Sequence, residues 1–344
     1  MHLRPFSFRH IALLTVTLAL SACSGLSGMH EPTVAEQDAL QSLVAQQNRL
    51  DRVAAPLLVN NPAICKDNAR NLLGFTAKNK YSYSEELSSA TQQALGLNER
   101  LQVVHVLAGS GAARAGVHKG DGLVAVDDQP LPQGPHAERQ AAAIIGPLVT
   151  GKQSVKLTVA RNGANIALNV PLTLACAFSV ELGNSDNVNA YSDGRRIVVT
   201  RGMMRFAQND NELAYVLAKE MAHNVLGQQA KQHISGTMGD IIDNLVLLHP
   251  DMSTMNGMAG IRPYTPELDA SADNLSLYMA ARGGYSVDGA PRFWQRLAQQ
   301  YPASVLNGYT AIHPMTQYRL SAMDRTVVEL KGKQAAGKPL MPVS

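Results

Sequence analysis

The sequence has no cluster of basic residues and almost no net charge. Its 344 residues contain 30 Lys and Arg against 27 Asp and Glu, which gives a formal charge of +3. Two of the basic residues, Arg4 and Arg9, lie in an N-terminal segment that we expect to be removed, so 28 remain. Proteins that bind nucleic acids usually carry a basic patch or stripe, which this chain lacks. We therefore predict no nucleic-acid partner.

The apolar run near the N-terminus is too short to cross a bilayer as a helix. Ile11–Leu20 follows Arg4 and Arg9 and leads into the sequence Leu-Ser-Ala-Cys, whereas a membrane span needs about 20 apolar residues. This order is typical of a bacterial lipoprotein signal peptide, residues 1–22, after which Cys23 is acylated and becomes the first mature residue. An ordinary signal peptide with an incidental cysteine is the alternative. Because Ser24 follows and not an inner-membrane retention Asp, we predict a lipid anchor on the periplasmic face of the outer membrane.

Cysteine is scarce, with three residues in the whole chain. Once Cys23 is acylated, Cys65 and Cys176 remain as an even pair in an oxidising compartment, where disulfides form and persist. These two residues bracket a segment that we interpret as one domain, and the ends of a compact domain are often close together. We therefore predict a Cys65–Cys176 disulfide; two unrelated buried thiols are the alternative.

The segment between these two cysteines resembles a PDZ domain of the HtrA type. Leu101–Leu131 matches the core of that domain, with a strand, the pattern Gly-Ser-x-Ala-Ala, a short helix, Gly-Asp and another strand. The alternating run Ser154–Leu172, interrupted by an Asn-Gly turn, predicts the closing hairpin. Upstream, a Leu-Leu-Gly-Phe sequence resembles the loop whose backbone N–H groups capture a peptide C-terminus. The peptide-binding residues that this resemblance implies are Leu72, Leu73, Gly74 and Phe75.

The same resemblance implies partners and a groove. A helix at Ser84–Leu95 would form one wall of the peptide groove, and the partners would be envelope proteins or peptides bound through their C-termini. A PDZ domain that only packs on its neighbour is the alternative.

A second motif is a zinc-protease motif that lacks one residue. Asn211–Gln228 reads as an amphipathic helix with an acidic first turn, and it contains the pentad Lys-Glu-Met-Ala-His, residues 219–223. With His at its first position the pentad would be HExxH, which places two imidazoles one helical turn apart beside a catalytic Glu. Lys219 stands there instead. An ammonium group has three donors and no lone pair, so it cannot ligate Zn²⁺ at neutral pH.

The order of motifs around the pentad resembles the zinc metallopeptidase family of HtpX, Oma and the CAAX prenyl proteases, which are gluzincins. Asn187–Phe206 resembles the strand that runs beside the active-site cleft of that family. Tyr264–Gly284 resembles its second active-site helix, where the family carries Glu-x-x-Ala-Asp and this chain has Asp269-Ala-Ser-Ala-Asp273. Ala311–Met323 resembles its Thr-His-Pro segment and the Arg that follows, here His313 and Arg319.

This resemblance implies an α+β fold and an ordered set of site residues. A mainly helical metallopeptidase-like domain would contain a small sheet with a strand at Ile197–Thr200, and a PDZ domain would precede it. The zinc ligands would be His223, Asp269 and position 219, which holds Lys219. The residues implied in catalysis are Glu220 and His313, and the supporting residues are Asp273 and Arg319.

The departures from the family pattern point to loss of hydrolysis. A catalytic zinc needs three protein ligands and an open position, yet Lys219 is a cation and Asp269 is one methylene shorter than Glu. We expect Lys219 to lie near Glu220 and Asp269 as a fixed positive charge, and we expect no zinc to be bound. The predicted function is a non-hydrolytic lipoprotein that binds peptides or proteins. Alternatives are an active zinc metalloendopeptidase that uses His223, Asp269 and His313, and a purely structural partner in an envelope complex.

The length of the chain and these motifs divide it into five segments. A chain of 344 residues exceeds one average domain and indicates two, with ample core-forming material at 45% hydrophobic residues. A Gln-rich helix at Glu36–Val53 is predicted to end before Pro56. The predicted segments are a signal peptide (1–22), a helical spacer (23–64), a PDZ-like domain (65–176), a metallopeptidase-like domain (177–330) and a flexible tail (331–344).

Overall fold

The chain combines helices with small sheets, which confirms the predicted α+β class. The structure is a computed structural model that describes residues 31–84, 86–228, 246, 263–302 and 309–342. The predicted signal peptide and the acylated Cys23 lie outside the described residues. Within the described ranges, no helix combines the length and the apolar content needed to cross a membrane.

The first part of the fold, which we call the sheet lobe (residues 69–176), is built on a six-stranded antiparallel sheet. Its strand order is β2-β3-β4-β6-β7, with β5 paired to β4. The predicted closing hairpin is present, because β6 and β7 pair along their whole length around a turn at Asn162 and Gly163. The apolar inner face of the sheet forms a hydrophobic core with helix α5. The elements are β1 (Ala69–Leu72), β2 (Phe75–Lys78), α3 (Ser88–Leu95), β3 (Gln102–Val106), α4 (Gly111–Arg114), β4 (Gly122–Val126), β5 (Gln129–Pro130), α5 (Ala137–Gly151), β6 (Ser154–Arg161), β7 (Ala164–Pro171) and β8 (Thr173–Cys176).

The helix that was predicted to line a peptide groove packs elsewhere. Helix α3 lies against the N-terminal helix α1 (Val34–Asn60), and Gln37 of α1 donates a hydrogen bond to Gln93 of α3. Helix α5 instead directs Ile144 and Leu148 towards the core that the Leu-Leu-Gly-Phe loop also joins. The physical reason is composition: residues 88–95 read Ser-Ser-Ala-Thr-Gln-Gln-Ala-Leu and offer little apolar surface, whereas α5 carries a broad apolar face.

Helix α1 (Val34–Asn60) is longer and more deeply packed than the sequence predicts. It continues through Pro56, where the predicted helix Glu36–Val53 has already ended. A proline inside a helix removes a hydrogen bond and costs about 3 kcal/mol. Burial of Leu57 and Leu58 in the core of the second lobe offsets that cost. The described part of the predicted spacer, residues 31–64, is therefore part of the packed structure.

The second part of the fold, the helical lobe, consists of α1 and the described residues from 179 onward. Its sheet has the order β10-β11-β9, in which β11 runs antiparallel to β10 and parallel to β9. Strand β11 contains the predicted strand Ile197–Thr200. Helices pack around this sheet in a single hydrophobic core. The elements are β9 (Ser179–Gly183), β10 (Ala190–Ser192), β11 (Arg196–Thr200), α6 (Arg201–Phe206), α7 (Asp210–Val225), α8 (Pro266–Arg282), α9 (Ala290–Gln300), α10 (Tyr309–Ile312) and α11 (Gln317–Ala335).

Cys65 and Cys176 form the predicted disulfide, with their Cα atoms 5.6 Å apart. Cys65 ends the short helix α2 (Pro62–Cys65), and the 3₁₀ turn Lys66–Asn68 leads from it into β1. Because β1 pairs with β8, Ala69 lies opposite Cys176. Both cysteines are buried in the core of the helical lobe. The bridge therefore fastens both ends of the sheet lobe to that core.

The C-terminal segment packs further than predicted. The flexible tail was expected from residue 331, but α11 continues to Ala335. Beyond the helix, the Lys333 ammonium donates to the Met341 carbonyl, and Leu340 packs against the core of the helical lobe. Packed structure therefore extends well past the predicted start of the tail.

Candidate active site

Helix α7 carries the altered pentad through the centre of the helical lobe. The Asn209 side chain caps its first turn by accepting from the Glu212 N–H, and acidic residues in that turn complement the helix dipole. The helix is buried without a break from Leu213 to Asn224. Lys219 and His223 are four residues apart and lie on one face, as the sequence predicts.

Helix α8 presents the second set of site residues to α7. Thr265 caps it and Pro266 occupies its first position, which is pre-organised for a helix start. Asp269 and Asp273 are one turn apart, and both carboxylates are buried at 1% exposure or less. The contact between α7 and α8 therefore brings two carboxylates against the lysine of the pentad.

The Lys219 ammonium is enclosed between these carboxylates. Its Nζ atom lies 3.1 Å from Asp269 Oδ1 and donates a short hydrogen bond to Asp273 Oδ1. The ring of Trp294 lies over it, with Nζ 5.5 Å from the centroid. The side chain is fully buried. The expected contact with Asp269 is therefore present, whereas Asp273, and not Glu220, is the other anionic partner in the described residues.

Arg319 of helix α11 closes the same network from the opposite side. Its Nε donates to Asp273 Oδ2 at 2.7 Å, and its Nη1 lies 3.3 Å from Asp269 Oδ2. The same Nη1 donates to the carbonyls of His313 and Pro314. Burial opposes the charged guanidinium, but the two aspartates outweigh it and raise the pKa of Arg319. The side chains of Lys219 and Arg319 thus alternate with two carboxylates.

The charges in this network decide the ionisation of Asp269. Burial by itself would raise the pKa of Asp269, but Lys219 and then His313 outweigh it and hold that pKa well below its usual range. Asp269 is therefore an anion at neutral pH. Its role here is to neutralise a neighbouring ammonium and to bind an imidazole.

His313 follows helix α10 and lies between Asp269 and Glu220. Its Nδ1 is 2.8 Å from Asp269 Oδ1, and its Nε2 is 3.9 Å from Glu220 Oε1. Burial lowers the pKa of His313 to about 4, although Asp269 opposes that shift. The imidazole is therefore neutral at pH 7.

Glu220 is held by two hydroxyl groups. Ser192 at the end of β10 donates to its Oε2 at 2.8 Å, and Tyr309 of α10 donates to its Oε1 at 2.9 Å. Burial and then Glu220 raise the pKa of Tyr309 well above its usual value, so its hydroxyl remains a donor. The sequence reasoning missed both residues. Ser192 lies in Asn187–Phe206, the segment that resembles the strand beside the family's active-site cleft, so its closeness to the site could have been predicted. Nothing in the sequence singles out Tyr309.

An aromatic stack covers the two histidines. Tyr264 lies against His223 with ring centroids 4.4 Å apart and against His313 at 4.9 Å. Tyr309 stacks on the other side of His313 at 4.4 Å and on Trp294 at 5.5 Å. Both histidines are nearly inaccessible to solvent. Tyr264 is another residue whose contact with the site the sequence did not predict.

His223 is oriented by a short hydrogen-bond chain. Its Nδ1 lies 2.7 Å from Gln228 Oε1, and the Gln228 amide nitrogen donates to the Leu268 carbonyl at 3.0 Å. Its Nε2 is 3.5 Å from Asp269 Oδ1. The ring is therefore aimed at the centre of the site.

The family zinc position does not fit the side chains that this chain places there. Lys219, His223 and Asp269 converge as predicted, but the Lys219 ammonium lies within bonding distance of the carboxylate that would bind the ion. A protonated amine has no lone pair for a metal. Another set of donor atoms, from Glu220, His223 and His313, lies within 4.8 Å of one another.

The Leu-Leu-Gly-Phe loop lies in the sheet lobe, away from these residues. Leu72 ends β1, Leu73 and Gly74 form the bend, and Phe75 begins β2. Gly74 has φ +87°, and a Cβ there would lie 2.4 Å from the Ser110 side chain. Strand β2 is an edge strand of its sheet, and among the described strands it pairs with β3. Its second edge is therefore not paired with another described strand.

In a comparison with known proteins, a protein-family model matches the second half of the chain. The model of peptidase family M48 matches residues 155–327, half of the chain. A beta-barrel assembly-enhancing protease of Yersinia pestis is 27% identical over 165 residues, which cover 42% of this chain and 33% of the relative. The mitochondrial metalloendopeptidase OMA1 of Danio rerio is 26% identical over 175 residues, which cover 45% of this chain and 36% of the relative. This chain therefore spans about a third of the length of the curated relatives that it matches.

Solved structures that resemble this chain match a shorter segment. The PDZ domain of HtrA3 bound to a phage-derived ligand is 16% identical, covers 31% of this chain and 88% of that one, and has a TM-score of 0.23. The HtrA-type protease AlgW with a decapeptide is 26% identical, covers 31% of this chain and 30% of that one, and also has a TM-score of 0.23.

Proposed function

The chain belongs to peptidase family M48, and we propose that it is a member without hydrolytic activity that binds envelope proteins or peptides. The observation that carries this proposal is the position of Lys219. Its ammonium is fully buried against Asp269 and Asp273, where the family holds a zinc ion between two histidines and a glutamate. A side-chain cation thus stands in for part of the charge of the metal.

The absence of a ligand at position 219 removes the chemistry on which the family depends. A catalytic zinc lowers the pKa of its bound water to about 7, which supplies a nucleophile at neutral pH. An ammonium group supplies charge but cannot coordinate water. Glu220 keeps the position of the general base, but its two oxygens accept from Ser192 and Tyr309. No metal-activated water is then available for it at the family position.

An active zinc metalloendopeptidase is the second candidate, and one observation favours it. His313, which lies next to Asp269 and Glu220, supplies an imidazole that a rearranged ligand set would use together with His223. Its weakness is that Lys219 lies within 3.1 Å of Asp269 Oδ1, so that a metal sharing this oxygen would meet a like charge.

Casein hydrolysis separates the two candidates. We expect the full mature chain, with Cys23→Ser to omit the lipid, to leave casein intact with or without added zinc. Lys219→His restores an imidazole and removes the like charge, and Asp269→Glu restores reach, so the double variant should gain slow hydrolysis that a chelator abolishes. Adding Glu220→Gln to the double variant is the matched control and should remove the gain. The proposal would be contradicted if the chain with its native Lys219 hydrolysed casein, if a chelator abolished that hydrolysis, and if His223→Gln also abolished it.

The binding function is proposed for the Leu-Leu-Gly-Phe loop of the sheet lobe. The loop precedes the outermost strand of its sheet, and the positive φ of Gly74 shapes the bend between β1 and β2. An extended peptide that adds to such an edge gains main-chain hydrogen bonds, and loop N–H groups satisfy its terminal carboxylate. This arrangement supports recognition of C-terminal segments.

Peptide chemistry tests that binding mode directly. We expect added protein to raise the fluorescence anisotropy of a fluorescein-labelled ten-residue peptide that ends in valine with a free carboxylate. The same peptide with an amidated C-terminus is the matched control and should bind at least tenfold more weakly, because it lacks the charge that the loop binds. Equal binding of the two peptides, or binding of neither, would count against a C-terminal recognition site.

The location is proposed to be the bacterial envelope, with the chain anchored by lipid at Cys23. The N-terminal order of two arginines, a short apolar run and Leu-Ser-Ala-Cys supports this. We expect metabolically supplied palmitate to label the wild-type chain in the membrane fraction and not the Cys23→Ser variant. Labelling that persists in the variant would refute acylation at this residue.

A further inference from the structure

Three donor side chains, one of them the histidine of the altered pentad, converge beside the Lys219 network. We propose that Glu220, His223 and His313 form a site for a divalent transition metal, of the kind that Zn²⁺ or Co²⁺ would occupy, displaced from the family zinc position. Their ligand atoms lie within 4.8 Å of one another, and all three side chains are buried. Two imidazoles and one carboxylate are a donor set that zinc accepts. Such a site would contradict the expectation, drawn from the sequence, that the chain binds no zinc.

The hydrogen bonds of His223 select the nitrogen that would bind the metal. Gln228 donates through its amide nitrogen to Leu268, so its Oε1 is the atom that faces His223 Nδ1 at 2.7 Å. Because an amide oxygen only accepts, Nδ1 must carry the proton of this contact. With Nδ1 engaged in this way, the nitrogen that remains to bind a metal is Nε2, which lies 3.5 Å from Asp269 Oδ1 on the side of the site.

The same logic applies to His313 through a different acceptor. Asp269 is an anion that accepts from His313 Nδ1 at 2.8 Å. The nitrogen that remains to bind a metal is therefore Nε2, 3.9 Å from Glu220 Oε1. Histidines that ligate metals almost always donate their other N–H to a carboxylate or carbonyl oxygen. Both rings show this pattern, with Asp269 and Gln228 in the orienting positions.

The charges of the cluster leave Glu220 as the carboxylate that a metal would neutralise. Lys219 and Arg319 are matched by Asp269 and Asp273. In the described part of the chain, the close partners of Glu220 are the hydroxyls of Ser192 and Tyr309. A divalent ion bound by Glu220 therefore adds positive charge beside a carboxylate, while Asp269 and Asp273 pair with the ammonium of Lys219.

The distances require a modest adjustment. Zinc bonds of about 2.0–2.1 Å in tetrahedral geometry place ligand atoms roughly 3.3 Å apart. The donor atoms, whose separations are up to 4.8 Å, must therefore approach one another by up to about 1.5 Å to reach that spacing. Because Glu220 would be a ligand in this set, it would no longer be available as a general base, and binding of the metal would not restore hydrolysis.

Calorimetric titration of chelator-stripped protein with ZnSO₄ tests the site. We expect one equivalent to bind, and at least tenfold weaker binding by His313→Gln, His223→Gln and Glu220→Gln. His136→Gln, which removes an exposed imidazole elsewhere, is the control and should bind as wild type. Circular dichroism of each variant confirms that it is folded, and the visible spectrum of bound Co²⁺ gives a second readout that should change in His313→Gln.

The outcomes also separate this inference from the proposed function. No zinc binding by the wild-type chain would overturn the site while leaving the absence of hydrolysis untouched. Tight binding that survives His313→Gln but is lost in Asp269→Asn would overturn it as well, because the metal would then use the family ligands. Casein hydrolysis by the zinc-loaded wild type would refute the proposed function, and the His313→Gln titration would still decide the site.

Discussion

Replacing Lys219 with methionine should expose how much the buried charge network contributes to stability. The substitution keeps an unbranched apolar chain but removes the ammonium from between Asp269 and Asp273. Arg319 alone then faces two buried carboxylates. Removing one partner of a buried ion pair costs about 3–5 kcal/mol, because it leaves an uncompensated charge in a medium that solvates it poorly. We therefore expect the free energy of unfolding to fall by roughly that amount at pH 7.

The chain contains a built-in reporter for this measurement. Trp294 is the single tryptophan, and its ring lies over the Lys219 ammonium. Urea unfolding followed by tryptophan fluorescence therefore reports on the helical lobe at the site itself. The loss should shrink as the pH falls towards the ordinary range of carboxyl groups. Without Lys219, burial raises the pKa of Asp269, and protonation of this carboxyl removes the unpaired charge.

A double variant gives the control and the refutation. Lys219→Met combined with Asp269→Asn removes one charge of each sign and should recover most of the lost stability, since buried pairs replaced by neutral groups are often close to neutral in effect. A loss below about 1 kcal/mol in the single variant would mean that the ammonium contributes no net pairing energy. A double variant whose loss equals the sum of the two single losses would also refute the reasoning, because residues in contact should couple.

Three further predictions concern other parts of the molecule. The pKa of His313 is about 4 in the folded state and near 6.5 in the unfolded state, so the unfolded state binds a proton first as the pH drops. The free energy of unfolding should therefore fall by at most roughly 3 kcal/mol between these two pKa values. In urea unfolding at pH 7, 5.5 and 4.5, His313→Asn should lack this pH dependence. Reduction of the Cys65–Cys176 bridge should lower the free energy of unfolding by about 2–5 kcal/mol. The double variant Cys65→Ser, Cys176→Ser should show the same loss. An unchanged midpoint of urea unfolding would mean that the bridge is dispensable. Gly74→Ala should destabilise the sheet lobe, because its Cβ would clash with Ser110, and hydrogen exchange of β2 amides should speed up; unchanged exchange would contradict the clash.

Several features of this chain could be predicted from the sequence. The local ones depend on residues close together in it, and two long-range pairings could be predicted from cysteine number and from the order of motifs. The strand Ile197–Thr200 and the buried helix of the pentad follow from apolar patterning and capping residues. The disulfide between Cys65 and Cys176 follows from the number of cysteines and from the predicted oxidising compartment. The convergence of Lys219 and Asp269 followed from the order of family motifs, and the structure brings the two residues together.

The contacts that sequence reasoning missed are all long-range. Tyr309 reaches Glu220 across 89 positions, and Lys219 reaches Asp273 across 54. No local pattern encodes such a pairing, because it depends on how whole helices pack. The same holds for α1, whose burial requires a partner surface far along the chain. A proline at position 56 is a local signal for a helix end, and tertiary packing overrides it.

The two departures from the family pattern, Lys219 and Asp269, are geometrically coupled because their side chains are in contact. Lysine is longer than histidine, and its ammonium extends into the space between α7 and α8, where it lies between Asp269 and Asp273. Aspartate at position 269 is one methylene shorter than the glutamate of the family, and its Oδ1 lies 3.1 Å from that ammonium. A longer carboxylate from the same backbone would extend into the volume that Nζ occupies, and interiors packed this closely do not absorb an extra methylene without strain. The shortened acid and the lengthened base therefore fit each other, and the second carboxylate, Asp273, shares its charge between Lys219 and Arg319. This mutual fit is what an adapted charge network requires, and loss of a single ligand by itself would not produce it.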